Sequence, residues 1–329
     1  MKTKLLFVAL LFSANAYASC GSTFCSVNTH WDTQGLVNDE GLRIDLRYSY
    51  AKADTPRAGS SKVANDPALA AADEEVENLR TINQTLNMDL DYAINRQISV
   101  ALGLPLVRRD HSHTIADGLG GGTIEQGKFS ELGDIRVLGN YKFDSANHDA
   151  GNRHSGSGVR FGLKLPTGKT DWDFQPGAAG ERSLQPGSGS TDAILGVHYY
   201  QDLADSPWGW FVSGQVQSAL STKDDYRPGN DVALDFGSHY AISPALIGLL
   251  QLNAQFKGRD GGLNANPHSG GRSFNFSPGL SFSVAPRTRL YGFVQLPLYQ
   301  YANPDPDPAV IAGQLTAPWS FSVGVSHSY

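Results

Sequence analysis

The sequence predicts an all-β fold, a transmembrane antiparallel β-barrel of about twelve strands in the outer membrane of a bacterium. Three observations predict it. From Gly41 onward, apolar and polar residues alternate in long segments. The connections between these segments alternate between long and short, and an export signal precedes them. Alternation gives a strand one apolar and one polar face, which matches a barrel that is apolar outside and polar inside.

The start of the chain divides into two parts before the barrel. Residues 1–18 form a predicted signal peptide, with Lys2 and Lys4, an apolar run over 5–12 and an A-x-A cleavage site at 16–18. The apolar run is too short to cross a bilayer as a helix. Residues 19–40 are then predicted to form an N-terminal periplasmic segment or small plug, and residues 41–329 form the barrel.

The two cysteines of the chain, Cys20 and Cys25, both lie in this short segment. In an exported protein the expected state is a disulfide. Two alternatives remain at this stage: lipidation of Cys20 near the cleavage site, and a metal bound by both cysteines with His30 in a C-x4-C-x4-H pattern. We assign no metal.

The alternation delimits each strand in turn. Connections at 95–97, 204–207 and 243–244 are short enough for periplasmic turns, and 145–156 is the one long connection at that end. An even number of strands leaves both termini in the periplasm. The predicted strands are 41–53, 80–94, 98–115, 133–144, 157–168, 191–203, 208–220, 230–242, 245–260, 273–286, 288–303 and 318–329.

One face of every strand is charged or polar, and this face is predicted to line the lumen. Leu42 and Leu46 alternate with charged residues in the first strand, as Leu86 and Leu90 do in the second. A charge that faces lipid costs a few kcal/mol, so the charged face must point inward. The predicted lumen-lining residues are Arg43, Asp45, Arg47, Asn83, Asn87, Asp89, Asp91, Arg136, Asn140, Lys142, Arg160, Lys164, Asp235 and His239.

The last strand alternates most clearly and ends on Tyr329. A barrel closes only when its last strand pairs with its first. We therefore expect residues 318–329 to carry the signal for the barrel assembly machinery. Outer-membrane lipid and small solutes are the other expected partners, and no nucleic acid is expected.

Several short motifs resemble a known family. They are Gly133-Asp134, the run 140–143, Leu165-Pro166-Thr167-Gly168, the run 187–192 and the stretch 294–301. Together they resemble the outer-membrane family named for the meta-pathway of phenol degradation. The resemblance implies a barrel that passes small compounds, often hydrophobic or aromatic, and it assigns no catalytic residue. Pro166 alone predicts the end of a strand, since proline cannot donate to a sheet ladder.

No motif in the sequence predicts an enzyme or a cofactor. The one compact Ser/His cluster, His111-Ser112-His113, places the serine on the opposite strand face from both histidines. The histidine pair with Asp110 is a weak alternative metal site. The predicted function is an outer-membrane channel for passive diffusion or uptake of small solutes. The alternative is a structural or partner-binding barrel with a closed lumen.

Overall fold

The computed structural model describes residues 27–36, 41–63, 75–116, 122–143, 155–175, 178–307 and 313–329. Within them, thirteen strand segments form one antiparallel sheet, and two of these segments are halves of one interrupted strand. The twelve strands are β1 Gly41–Ala53, β2 Glu75–Ala93, β3 Ile98–Ala116, β4 Gly122–Leu132 with Arg136–Phe143, β5 Ser155–Lys164, β6 Asp192–Asp202, β7 Trp208–Ala219, β8 Asp231–Ala241, β9 Leu246–Lys257, β10 Gly271–Ala285, β11 Thr288–Ala302 and β12 Ser320–Ser328.

The sheet closes on itself through its first strand. β1 pairs with β2 from Gly41↔Ala93 onward, and its other edge pairs with β12 from Arg43↔Ser328 to Ala51↔Ser320. Every other strand pairs with its neighbours in chain order. The closed ladder satisfies the backbone groups that lipid cannot hydrogen-bond. The prediction of an antiparallel barrel of twelve strands is therefore confirmed.

β4 differs from the predicted strand, which began at 133. Residues 122–132 also form a strand, and they pair with the outer half of β3 from Leu106↔Leu132 to Ala116↔Gly122. The interpretation of this stretch as a connection was wrong. The part of β4 that was predicted pairs only with residues 98–103 of β3. The backbone groups of 106–116 on the same edge need another partner, which residues 122–132 supply. The interruption lies at 133–135, where the chain carries the first of the family-like motifs.

The two ends of the barrel differ in their connections. Short turns at 94–97, 203–207, 242–245 and 286–287 lie at one end, which is the periplasmic end in barrels of this kind. Longer connections at the other end contain a small sheet of Thr55–Ala58, Ser61–Lys62 and Gln314–Thr316, and the pair Asp173–Gln175 and Ala178–Ala179. The signal peptide, Cys20, Cys25 and most of the connection 145–156 lie outside the described residues.

Helical structure is limited in the described part of the chain to two short 3-10 turns, Trp31–Gln34 and Arg182–Leu184. No helix among the described residues is long and apolar enough to cross a membrane.

The outer face of the barrel is apolar. Leu46 and Leu86, predicted to face lipid, are 39% and 42% exposed, whereas Arg43 and Asp45 beside them are buried. Near the periplasmic turns the rings of Trp208 and Tyr240 lie 4.7 Å apart, and both are exposed. Exposed aromatic rings at this level form the girdle that outer-membrane barrels place at the headgroups.

We predict that Met88→Arg destabilises the barrel by about 2–4 kcal/mol, because Met88 pairs with the outward-facing Leu46 and its replacement places a charge in lipid. Heat modifiability on gels and refolding into vesicles measure the effect. Asn87→Arg is the matched control, because Asn87 lines the interior cavity and an arginine there has access to water. Equal loss of folding in both variants would contradict the register.

Candidate transport lumen

Residues 27–36, here called the N-terminal segment, lie inside the barrel near its periplasmic end. The segment contacts strands around the circumference, including β1, β5, β7, β9 and β11. Its 3-10 turn, Trp31–Gln34, is fully buried. The segment therefore crosses the lumen.

Asn28 fixes one side of the N-terminal segment to the wall. Its backbone N–H donates to Oε1 of Gln251 at 3.1 Å, and Nε2 of Gln251 donates back to the Asn28 carbonyl oxygen at 2.8 Å. The Asn28 side chain donates to Oγ of Ser213 at 2.9 Å. Asp235 accepts hydrogen bonds from Ser213 and Asn253 behind this contact. These polar groups are buried, and each has a hydrogen-bond partner. They therefore position the N-terminal segment without the free-energy cost of an unpaired buried polar group.

Trp31 packs against aromatic residues that point inward. Its ring meets Tyr291 edge-on at a centroid distance of 4.8 Å and stacks on Phe293 at 6.3 Å, and Leu249 completes the cluster. The Trp31 indole N–H donates to Asp45 at 3.3 Å, and the Tyr291 hydroxyl donates to the same carboxylate at 2.6 Å. Burial of these rings supplies the apolar share of the docking energy.

Asp32 lies between two arginines of the wall. Its Oδ1 is 3.4 Å from Nη2 of Arg160 and 3.7 Å from Nη2 of Arg43, which also pairs with Asp91 at 2.9 Å. Burial alone would raise the pKa of Asp32, but the Arg160 and Arg43 charges outweigh burial and hold this pKa well below its ordinary value. The carboxylate therefore stays charged and ties the N-terminal segment to β1 and β5.

His30 precedes the turn and faces the wider part of the lumen. Burial lowers the pKa of His30 well below its ordinary value, and the positive charge of Arg160 lowers it further, while Asp32 raises it. Arg47 and Arg43 also lower it. A docked, neutral His30 is thus surrounded mainly by cations, so a proton on this ring weakens the docked state.

The N-terminal segment divides the lumen into two unequal spaces. A cavity of about 420 Å³, here called the main cavity, extends from Val27 and His30 toward the loop end of the barrel. A space of about 40 Å³ lies on the periplasmic side, beside Asp32, Arg43 and Lys142. The main cavity is large enough for a small organic molecule.

The family-like motifs meet at the loop end of the main cavity. Asp134 accepts the backbone N–H of Gly168 at 3.0 Å and both the N–H and the hydroxyl of Ser188, at 2.9 and 2.7 Å. Lys164 bridges Asp134 at 3.3 Å and Asp192 at 2.8 Å. These five residues form what we call the Asp134 cluster, and they join three separate stretches of sequence at the mouth.

Two glycines explain why these stretches can meet. A Cβ at Gly168 would lie 2.7 Å from the Cα of Gly187, a distance that side chains do not adopt. Thr167 adds a side-chain hydrogen bond to the Gly133 carbonyl oxygen at 3.0 Å. The close approach holds the connection 182–190 over the mouth of the barrel.

The connection 182–190 has two further anchors. Arg109 of β3 donates to the Ser183 carbonyl oxygen at 3.2 Å. Arg182 donates to the carbonyl oxygens of Thr170 and Ser188 at 2.8 and 3.2 Å, and its guanidinium lies 5.1 Å from the ring centre of Tyr226. Gln185, Pro186 and Gly187 line the main cavity from above. The cavity is thus bounded by the chain at both ends.

The structure places the predicted lumen residues at different levels of the interior. Arg43, Asp91 and Lys142 border the space on the periplasmic side. Arg160 contacts Asp32 of the N-terminal segment and donates a hydrogen bond to Asn140. Asn83 lies near the loop end, where it accepts from Arg109 at 2.8 Å. His239 pairs with Asp202 at 3.1 Å. The residues that border the main cavity are Arg47, Asn87, Asp89, Asp91, Arg136 and Lys164.

Sequence reasoning missed the inward-facing apolar residues. Leu249, Tyr291 and Phe293 point into the barrel beneath the N-terminal segment, and Leu138 and Ile194 line the main cavity. The available signal was the loss of alternation, because runs such as 246–250 and 290–294 are apolar on both faces. Such a run indicates an interior wall that is covered by protein or borders a nonpolar space.

The Ser/His cluster lies on β3 and does not assemble a nucleophile. Strand geometry places Ser112 on the opposite face from His111 and His113, whose rings lie 5.2 Å apart. His111 shares a 2.8 Å hydrogen bond with Thr81, and His113 lies 3.7 Å from Glu125. Over the described ranges, no group of three or more His, Cys, Asp or Glu side chains is arranged to hold a metal ion.

A closed antiparallel barrel with an apolar belt outside and charged residues inside defines the class of this protein: it is a bacterial outer-membrane β-barrel. The chain belongs to the family described as "Putative MetA-pathway of phenol degradation", whose model matches residues 54–301. No curated protein matches the chain.

Solved structures share the barrel at low sequence identity. The COG4313 outer membrane channel from Pseudomonas putida F1 is 15% identical, with a TM-score of 0.64 over 89% of this chain and 97% of that chain. The Ralstonia pickettii toluene transporter TbuX is 8% identical, with a TM-score of 0.46 over 90% of this chain and 91% of that chain. The first likeness supports the fold.

We predict that acid loosens the N-terminal segment. His30 has a lowered pKa when docked, so the released segment binds more protons, and docking loses stability as the pH falls below the ordinary value of 6.5. Asp32 contributes to the same trend only below its ordinary pKa of 3.8. Hydrogen–deuterium exchange of residues 27–36 should rise between pH 7 and about pH 5.

His30→Gln is the matched control, because it keeps a polar side chain without a titrating ring. Its exchange should change little over this pH range. An equal rise in both proteins would assign the response to other groups.

Proposed function

We propose that the protein is an outer-membrane channel that admits small solutes to the main cavity and releases them past the N-terminal segment. One observation carries the proposal: a closed barrel contains a cavity of about 420 Å³ that ends, on the periplasmic side, at a separate segment of chain. Passive channels need a pore that is polar and wide enough for the solute, with binding weak enough for release.

The contacts of the N-terminal segment suit a gate. They consist of hydrogen bonds from Asn28, ring packing of Trp31 and the ion pairs of Asp32. Each is noncovalent and modest in free energy, so the docked and released states can exchange. In this proposal residues 27–36 provide the small plug that was predicted for the segment 19–40.

The solute class follows from the size and lining of the cavity together with the family. A space of this volume accommodates single-ring compounds, and its wall combines charged residues with the apolar Leu138 and Ile194. The description of the family names a phenol-degradation pathway, and phenol is a single-ring aromatic compound. We therefore propose small aromatic or hydrophobic solutes. A catalytic role is not part of the proposal.

The alternative, a structural or partner-binding barrel with a closed lumen, is favoured by the contacts at both ends of the main cavity. The Asp134 cluster closes the loop end, and the N-terminal segment closes the other. Conductance separates the two functions, because a permanently closed lumen carries no current.

We predict that deletion of residues 27–36 raises the single-channel conductance severalfold in planar bilayers, because the segment occupies the cross-section of the lumen. The double variant Trp31→Ala/Asp32→Ala should instead raise the open probability, because it weakens docking and keeps the segment. Heat modifiability of both variants reports that the barrel remains folded.

The conductance results distinguish a gated channel, a channel without a gate and a closed barrel. Brief openings of the full-length protein with larger steady openings of the deletion support a gated channel. Current that is the same in all three proteins would make the segment a tail without a gating role. Silence of all three, with folded barrels, would favour the closed barrel.

We also propose that β12 presents the signal for the barrel assembly machinery. β12 pairs with β1 on one edge and with β11 on the other, so closure depends on it. Tyr329 follows it, and its backbone N–H donates to the Leu42 carbonyl oxygen at 2.8 Å.

Deletion of Tyr329 should reduce the amount of folded protein in outer membranes, whereas Tyr329→Phe, which keeps the aromatic ring, should not. Normal insertion of the deletion variant would contradict this proposal.

A further inference from the structure

An apolar row runs across one wall of the main cavity. The ladder aligns Ala101 of β3 with Leu138 of β4, Leu138 with Gly162 of β5, and Gly162 with Ile194 of β6. Leu138 lies over the bare backbone of Gly162, where a Cβ would come within 2.9 Å of its Cδ2. Ala101, Leu138 and Ile194 line the main cavity.

This row differs from the other inward apolar cluster of the barrel. The cluster of Leu249, Tyr291 and Phe293 is covered by Trp31 of the N-terminal segment. The row at Leu138 borders the main cavity instead. Leu138 and Ile194 are 8% and 3% exposed, so the row presents a narrow apolar strip to the cavity. Water hydrates such a strip poorly, and a flat nonpolar ring can cover it.

A charged row lies directly above the apolar row. Two residues further toward the loop end, the ladder aligns Gly103, Arg136, Lys164 and Asp192. The separation between the rows is one pleat repeat, about 7 Å. Lys164 pairs with both Asp134 and Asp192, so these three residues together carry one surplus negative charge.

Arg136 is the cation of this row that remains available to a guest. Its side chain is exposed to the lumen, and Nη2 donates to Oε1 of Gln217 at the long distance of 3.5 Å. Among the residues that the structure describes, no carboxylate lies within ion-pair distance of Arg136. A guanidinium presents two parallel N–H donors that match a carboxylate.

Other charges border the same cavity. Arg47 and Lys257 add positive charge, and Asp89 and Asp231 add negative charge. Asp231 accepts a hydrogen bond from Gln255 at 2.9 Å. The charges around the main cavity are therefore of both signs. The position of Arg136 next to the apolar row determines where in the cavity a guest binds.

We infer that the main cavity holds a binding site for a small aromatic carboxylate, with the ring on the row of Leu138 and Ile194 and the carboxylate on Arg136. This deepens the proposed function, on which it rests, by naming the charge and shape of one class of solute. Neutral single-ring compounds use the same apolar row and bind more weakly, because they leave the guanidinium without its ion pair.

The test uses the full-length, detergent-solubilised protein and isothermal titration calorimetry with benzoate. Benzyl alcohol has the ring without the charge, acetate has the charge without the ring, and benzylamine reverses the charge. Benzoate should bind the unmodified protein at least about tenfold more tightly than each of these. This comparison needs no variant.

Three variants assign the contacts. Arg136→Gln should weaken benzoate binding about tenfold and leave benzyl alcohol unchanged. Leu138→Asn should weaken both, and Arg136→Lys should fall between Arg136→Gln and the unmodified protein. Arg108→Gln, an exposed arginine on β3 outside the main cavity, is the matched control and should bind benzoate normally.

Two results would overturn the site. One is equal affinity for benzoate and benzyl alcohol, and the other is unchanged benzoate binding by a folded Arg136→Gln variant. Liposome swelling with small neutral solutes separates this failure from that of the proposed function. Swelling without benzoate binding removes the site and keeps the channel, whereas binding without swelling keeps the site and removes the channel.

Discussion

The pairing of the first strand with the last is the constraint on which the rest of the molecule depends. In hydrocarbon an unpaired backbone group costs several kcal/mol, so the sheet must close. Closure through Arg43↔Ser328 to Ala51↔Ser320 fixes the register of β1, and the register decides which residues face lipid. A slip of one residue would turn Arg43 and Asp45 toward the bilayer and Leu42 and Leu46 into the lumen.

The interior created in this way contains many charges, and the chain pairs most of them with its own residues. Asp32 forms ion pairs with both Arg43 and Arg160, and Lys164 forms ion pairs with both Asp134 and Asp192. Pairing offsets the loss of water around buried ions, and it also sets geometry because each partner has a fixed place. Ion pairing therefore holds the N-terminal segment at one end of the cavity and the connection 182–190 at the other.

Much of the wall was predictable from the sequence, because alternation has the period of a strand. The predicted 41–53 coincides with β1, and the ends of most other strands differ by a few residues. Residues 122–132 were missed because a Gly-rich stretch precedes them and Gly133 ends them. The placement of the N-terminal segment could not be predicted, since no local periodicity encodes contacts such as Asn28 with Gln251. Nor could the convergence of Gly133-Asp134, Leu165–Gly168 and 187–192 on one cluster, which only the closed sheet creates.

The position of the N-terminal segment also has a consequence for the order of events during biogenesis. Asn28 bonds to Gln251, 223 residues later in the chain, and Asp45, which receives the Trp31 indole, bonds to Tyr291, 246 residues later. The site that receives the segment exists only after β9 and β11 have joined the sheet. The part of the chain that is synthesised and exported early is therefore among the last to reach its native place, and until then the lumen of the new barrel has no plug at its periplasmic end.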